Sequence, residues 1–261
     1  MNEIQLRIQK NLKEMEQERN IRIPLAVESG SRAWGFASPD SDYDCRFIYV
    51  HPKDRYLSVF ANKDTITLVP DKIFDVNGWD VKKVIQHLVK SNAVMLEWLK
   101  SGVVYQEDER VVKLLQALGR EFFNPQACGW HYLNMAKKKL DLILTDETTK
   151  IKNYFYVMRP LACIQYIKEK AAIPYMEYQK NLVCIFVGKD ILAEIEKMLR
   201  MKEGAKEAEP IKRNLPLIQY FQSEITAMEE WLSEYKFNKD KDFEKADVCF
   251  RNIVEMVWAD E

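Results

Sequence analysis

The sequence predicts an α+β protein: a small mixed β-sheet with helices in the first hundred or so residues, followed by a helical half. Three observations predict it. Up to about residue 105, short runs of β-branched and aromatic residues are separated by clusters of Gly, Pro, Ser and Asp. Beyond that point strand signals fade and apolar residues recur at spacings of three and four. The composition, 47% hydrophobic and 30% charged over 261 residues, suits one large core or two smaller ones and argues against disorder. We therefore expect one domain over 1–105 and a second over 106–261.

Taken in order, Ile4, Ile8, Leu12 and Met15 recur at near-helical spacing and predict an amphipathic helix over about 2–18. Ile21 to Val27 is apolar enough for a buried strand, and the chain breaks at Ser29-Gly30-Ser31. Ser38-Pro39-Asp40-Ser41 is a turn cluster. Tyr43 to Val50 reads as a second strand, ended by His51-Pro52-Lys53-Asp54. Thr65–Val69 and Ile73–Val76 read as two more, joined at Pro70-Asp71. Asp80 stands where a helix N-cap belongs, with Val81, Val84, Ile85, Leu88 and Val89 as the apolar face behind it.

In the second half Val111, Leu114, Leu115 and Leu118, then Tyr132, Leu133, Ala136, Leu140 and Ile143, keep helical spacing. Residues 151–170, 190–200 and 214–235 continue it, and a bundle-like region is expected. Met201 to Pro210 is charged and apolar-poor, and reads as an exposed loop. No internal repeat is visible.

The same composition narrows the function classes. Lys and Arg (39) balance Asp and Glu (40), so no global field advertises a nucleic-acid partner, although a local basic groove stays open. No run of about 18 apolar residues suggests a membrane span. The N-terminal stretch is charged and amphipathic, with no signal-peptide core. The cysteines (Cys45, Cys128, Cys163, Cys184, Cys249) are far apart and odd in number, with no CxxC pair, which disfavours a zinc site or a disulfide framework. A cytoplasmic location is the expectation.

The stretch that carries chemistry runs from Glu28 through Gly30, Ser31, Arg32 and Gly35 to Ser41-Asp42-Tyr43-Asp44. A spacing of i, i+2 on a strand sends Asp42 and Asp44 to one face. Mg²⁺ prefers oxygen ligands and is commonly held by one or two carboxylates plus substrate phosphates. Gly30 and Ser31 offer backbone N–H groups and a hydroxyl to a phosphate chain, and a glycine lets the backbone approach closely. Nucleotidyl transfer needs mainly positioning and charge cancellation by metal ions. Asp75, on a strand expected beside the one bearing Asp42 and Asp44, is the candidate third carboxylate, able to ligate a second metal and help deprotonate the nucleophile.

These residues resemble the nucleotidyltransferase signature of the DNA polymerase β superfamily, in which a Gly-Ser turn precedes an Asp-x-Asp pair. Phe74 to Lys83, Lys90-Ser91-Asn92, Glu97-Trp98-Leu99 and Tyr154 to Pro160 further resemble its bacterial and phage RNA-repair-pathway DNA polymerase β branch, over at least residues 22–175. The resemblance implies a polymerase β-like palm domain followed by a helical domain closing the nucleotide cleft. It implies a nucleoside triphosphate as partner, Mg²⁺ (or Mn²⁺) as cofactor, and RNA as one acceptor, on the family label alone. Gly30 and Ser31 would bind phosphates, Asp42 and Asp44 would hold metal, and Asp75 would be the third acid. The place of Asp80 can be serine in that pattern, which leaves Asp80 to helix capping. One departure is Asn92-Ala93, where the branch often has Asn-Pro; it concerns a local turn.

Other residues keep two readings. Arg32 is a phosphate clamp or a surface residue. Lys83 contacts phosphate, pairs with Asp75 or Glu97, or is simply solvated in a helix's first turn. Arg159 reaches a triphosphate with its fork of donors, or ties helix to sheet as a buried pair with Tyr154. Asn92 and Glu97 read as structural, Trp98 and Cys45 as core, and His51, His87 and His131 as structural or exposed. The expected activity is transfer of a nucleoside monophosphate to an acceptor hydroxyl with release of pyrophosphate. The alternative is a nucleotide-binding regulator, such as a toxin–antitoxin or phage-defence partner, with little or no transferase activity. Composition and motifs leave the oligomeric state open.

Overall fold

A computed structural model describes residues 3–60, 62–71, 74–182, 188–204 and 210–259. Ile73 and Cys184 lie outside the described residues. The chain forms two compact units, both discontinuous in sequence. The first holds Met1–Gly30, Asp42–Phe123 and Asp240–Glu261; the second holds Ser31–Ser41 and Asn124–Lys239.

The elements follow in chain order: α1 (Glu3–Arg19), β1 (Arg22–Ser29), α2 (Gly30–Trp34), β2 (Tyr43–Val50), α3 (Lys53–Tyr56), β3 (Thr65–Asp71), β4 (Phe74–Asp80), α4 (Val81–Val89), α5 (Ala93–Trp98), β5 (Val104–Glu107), α6 (Glu109–Phe122), α7 (Pro125–Thr145), β6 (Thr148–Lys150), α8 (Ile151–Lys170), α9 (Tyr178–Leu182), α10 (Lys189–Gly204), β7 (Pro210–Lys212), α11 (Leu215–Glu234) and α12 (Phe243–Val257). The architecture is α+β, with a mixed five-stranded sheet in the first unit in the order β3-β4-β2-β1-β5. Only β2 and β4 run parallel; the other neighbours are antiparallel.

Alternation along β2 and β4 divides the sheet into two faces. Cys45, Phe47 and Tyr49 of β2 and Phe74 and Val76 of β4 join Ile8, Leu12 and Met15 of α1 in one buried cluster. Gly78 belongs to this face because a Cβ there would stand 2.2 Å from the Phe47 ring. On the other face Trp79 stacks on His87 of α4 and against Trp98 of α5, with ring centroids 4.8 and 4.6 Å apart. The helix α12 returns to this unit and packs on α4 and α6. Its Phe250 meets Tyr56 edge-on at 5.0 Å, and Trp258, just past it, lies under the Arg22 guanidinium at 4.4 Å.

Helix starts are set by local chemistry. The side chains of Asp80, Asn92, Asp108, Asn124, Asn214 and Asp242 each accept a backbone N–H in the first turn of the helix they cap. In the second unit α7 and α8 pack along each other and α11 packs on both. The short β6–β7 pair is steadied by Arg213, whose guanidinium donates to the carbonyls of Asp146 and Leu144. Segment 31–41 contributes Trp34 and Phe36 to an aromatic cluster with Phe155, Tyr156 and Tyr178.

Three sequence expectations change. Asp42 is exposed and immediately precedes β2 rather than lying on it, because pairing with β1 begins at Asp44 and with β4 at Tyr43. Strands persist past residue 103: β5 closes the sheet edge against β1, and β6 and β7 pair within the helical half. Met201–Gly204 continues α10 and Pro210 opens β7, while 205–209 lie outside the described residues. No helix among the described residues is long and apolar enough to cross a membrane.

Candidate active site

The parallel pairing of β2 with β4 puts Asp44 directly beside Asp75. Both carboxylates turn to the face away from α1. Arg46, two residues after Asp44 and so on the same face, reaches both: its Nη2 donates to Asp44 Oδ1 at 3.0 Å and to Asp75 Oδ2 at 2.7 Å. Its Nη1 donates to the Asp75 carbonyl at 3.0 Å, locking the guanidinium against β4. The two acids thus converge on one positive charge.

Gly30 stands on the other side of Asp44. Its φ is +71°, and a Cβ at this position would lie 2.0 Å from Asp44 Oδ2. The glycine is required by conformation and by space at once. From the adjoining strand Glu28, 1% exposed, accepts the Asp44 backbone N–H at 2.8 Å and the hydroxyl of Tyr105. Burial, then the Glu28 carboxylate, hold the Tyr105 phenol far above its ordinary value. A buried carboxylate therefore fixes the backbone of the strand that carries Asp44.

The structure brings Gly30, Asp44 and Asp75 together in the first unit, with Asp42 two residues before Asp44. Ser31, Arg32 and Arg159 belong to the second unit. Ser31 is buried, and its carbonyl accepts the N–H groups of Gly35 and Phe36. Arg32 closes the base of segment 31–41, donating from Nη2 and Nε to the Ser41 carbonyl at 2.6 and 3.2 Å. Arg159 is 2% exposed and holds its guanidinium 4.2 Å from the Trp34 ring centroid. Tyr154 accepts the Asn214 backbone N–H at 2.8 Å. Lys83 is not brought to the carboxylates. It sits past the far end of β4, five strand residues or about 16 Å beyond Asp75, bonded to Asp64 at 3.1 Å.

Two residues escaped the sequence reading. Arg46 carries the same i, i+2 signal as the Asp pair, so Asp42, Asp44 and Arg46 could have been read as one series. Glu28 opens the motif, but a lone Glu at a strand end has no local signature for burial. The Cys45 thiol is driven well above its ordinary value, first by burial and then by Glu28, which fits core rather than nucleophile. Cys128, Cys163 and Cys249 are likewise buried thiols outside any disulfide. His51 and His87 have their pKa lowered, mainly by burial.

The residues present can be tested against a divalent ion. Among the described residues no three His, Cys, Asp or Glu side chains converge as a ready cage. A Mg²⁺ site shared with phosphate oxygens needs fewer protein ligands. Arg46 acts as a stand-in cation here: Asp44 and Asp75 already gather about one positive charge, with Asp42 on the adjoining exposed backbone. This donor set, all hard oxygens, fits Mg²⁺ or Mn²⁺.

The chain is 37% identical over 254 residues to the uncharacterized protein YcgL of Bacillus subtilis (strain 168), covering 97% of this chain and 98% of that one. Among solved structures it matches a nucleotidyltransferase-like protein from Exiguobacterium sibiricum 255-15 at 12% identity and a TM-score of 0.33, covering 87% of this chain and 74% of the other. The family model described as RNA repair pathway DNA polymerase beta family matches residues 4–252. With nearly the whole length matched, the chain belongs to the RNA repair pathway DNA polymerase beta family.

Proposed function

We propose that this protein is a nucleotidyltransferase that moves a nucleoside monophosphate from a nucleoside triphosphate to an acceptor hydroxyl. The observation that carries the reading is the side-by-side placement of Asp44 and Asp75 around a single positive charge, against a glycine with no room for a side chain. Asp42, Asp44 and Asp75 would hold Mg²⁺ or Mn²⁺. When bound, the ion cancels charge on the phosphates and lowers the pKa of the attacking hydroxyl.

The chain's own residues do the positioning. Glu28 pins the Asp44 backbone, and Gly30 lets the chain turn tightly against the Asp44 carboxylate. Asp75 accepts the proton of the acceptor hydroxyl. The acceptor oxygen forms its bond to the α-phosphorus as the α–β phosphoanhydride bond breaks, and pyrophosphate leaves with that electron pair. Gly30 and Ser31 are assigned to the phosphates, and Arg32 and Arg159 are kept as candidate phosphate contacts of the second unit. Lys83, bonded to Asp64 at the far end of β4, is the weakest of the proposed nucleotide contacts. The family description favours RNA as the acceptor.

The test is transfer of label from α-labelled ATP, CTP, GTP and UTP to RNA, to protein and to small hydroxyl compounds. The wild type is expected to transfer only with Mg²⁺ or Mn²⁺ and to stop with EDTA. Asp42→Asn/Asp44→Asn, checked for folding by circular dichroism, is expected to lose at least 10²-fold in rate. Nucleotide binding without transfer to any acceptor would return the regulator reading in its place.

A further inference from the structure

The end of the sheet remote from Asp44 and Asp75 carries a cavity of about 490 Å³ in the first unit. Its lining brings together Arg19 from the end of α1, Arg55 from α3 and Lys63 from the approach to β3. No Asp or Glu lines it. Among the described residues none of these three cations is held in an ion pair, and all three are exposed at the rim. Asp80 and Asp64 act on the Tyr49 wall from outside the lining, but three positive charges around one concavity still repel one another, and that cost is relieved by an anion.

The walls suit a small ligand. His51 stands edge-on to Tyr49, ring centroids 5.3 Å apart, and burial together with Arg55 lowers its pKa. Asn62 and Thr65 add neutral polar groups at the same rim. The backbone around the cavity is tied down. Asn62 donates to the Arg55 carbonyl at 2.7 Å, the Tyr49 hydroxyl to the Lys63 carbonyl at 3.2 Å, and Tyr56 accepts the His51 N–H at 3.0 Å. The volume lies in the range of small-molecule sites.

A neighbouring cavity of about 430 Å³ shares Asn62 and Lys63, but Asp64 and Asp80 line it beside Lys82 and Lys83. Asp64 already engages Lys83 there. The excess of positive charge among lining residues therefore lies on the Arg19–Arg55 side. This place is distinct from the carboxylates. Tyr49 is five residues, about 17 Å, along β2 from Asp44 and points to the opposite face.

We propose that this cavity is a binding site for a small oligophosphate anion, separate from the carboxylate site, with Arg19, Arg55 and Lys63 as its phosphate contacts. Arginine offers the forked donors such oxygens accept, and lysine adds a point charge. The inference stands whether or not the protein transfers nucleotides.

The probe is pyrophosphate, titrated calorimetrically in EDTA so that no metal-dependent binding contributes. Wild type and Asp42→Asn/Asp44→Asn are expected to bind it alike, with affinity falling as salt rises. Arg55→Gln/Lys63→Gln, two exposed substitutions, is expected to weaken binding at least tenfold with an unchanged thermal midpoint in buffer alone. Absence of binding in EDTA, or equal binding by that variant, would overturn the site. Tighter binding of single-stranded RNA than of pyrophosphate, lost in the same variant, would overturn its assignment to a small ligand.

Discussion

At the scale of single residues, the candidate site depends on contacts that leave no slack. Gly30 is the clearest. Alanine there must adopt a left-handed conformation, costing about 1–2 kcal/mol, and its Cβ would collide with Asp44. Gly30→Ala is expected to shift the denaturation midpoint downward and to displace the Asp44 carboxylate, read together by urea melts and by Mn²⁺ affinity. A variant as stable as wild type with unchanged Mn²⁺ binding would show that the close approach is dispensable. Arg46 makes a second case. It is the counter-charge for two half-exposed acids, so Arg46→Met leaves them facing each other. A loss of about 0.5–1 kcal/mol is expected without metal. Thermal melts should then show Mn²⁺ raising the midpoint of this variant more than that of wild type. Equal shifts would mean that a divalent ion does not compete for the place Arg46 fills.

At the scale of elements, α4 shows how a cap couples to pH. Asp80 accepts the Lys82 N–H and the Tyr56 hydroxyl, yet burial outweighs both and pushes its pKa up to about 6. The folded protein therefore holds the Asp80 proton more tightly than the unfolded chain does. The stability this contributes is complete below about pH 4 and is lost as pH rises through about 6, a difference of up to about 3 kcal/mol. Asp80→Asn keeps a good capping residue but cannot ionise. It is expected to flatten the stability profile between pH 4 and 7 and to exceed wild type at pH 8, measured by urea midpoints across that range. An undiminished slope would place the titration elsewhere.

Capping also explains what could be read from sequence. Asp80 was legible because a cap and its helix are contiguous, and β2 was legible because its alternation is local. The four-residue β5 was not, because its pairing partner β1 lies almost eighty residues upstream and nothing within Val104–Glu107 announces it. Asp42 was assigned to the strand because spacing alone cannot mark where pairing begins. Arg46 needed the β2–β4 pairing before its hold on Asp75 could be seen, although its own spacing was visible. The roles of Arg32 and Arg159 stayed open because a guanidinium on a helix looks the same in sequence whether it meets an aromatic ring or a phosphate.

At the scale of the whole molecule, the two units interleave along the chain. The signature itself is divided: Gly30, Asp42 and Asp44 lie in the first unit, and Ser31 through Ser41 in the second. A change of pattern near residue 105 reports the end of the sheet-forming run, but it does not report where the chain returns. That return is made by α12, whose Phe250 meets Tyr56, whose Lys245 holds Glu121 at 2.8 Å, and which leads into Trp258 beneath Arg22. These contacts join residues more than a hundred positions apart. During synthesis the sheet and its acids emerge well before the helix that covers α4 and α6. The first unit is therefore left with an apolar flank waiting in the ribosome's vicinity until residues 243–257 arrive, so its maturation is timed by a segment made long after its sheet.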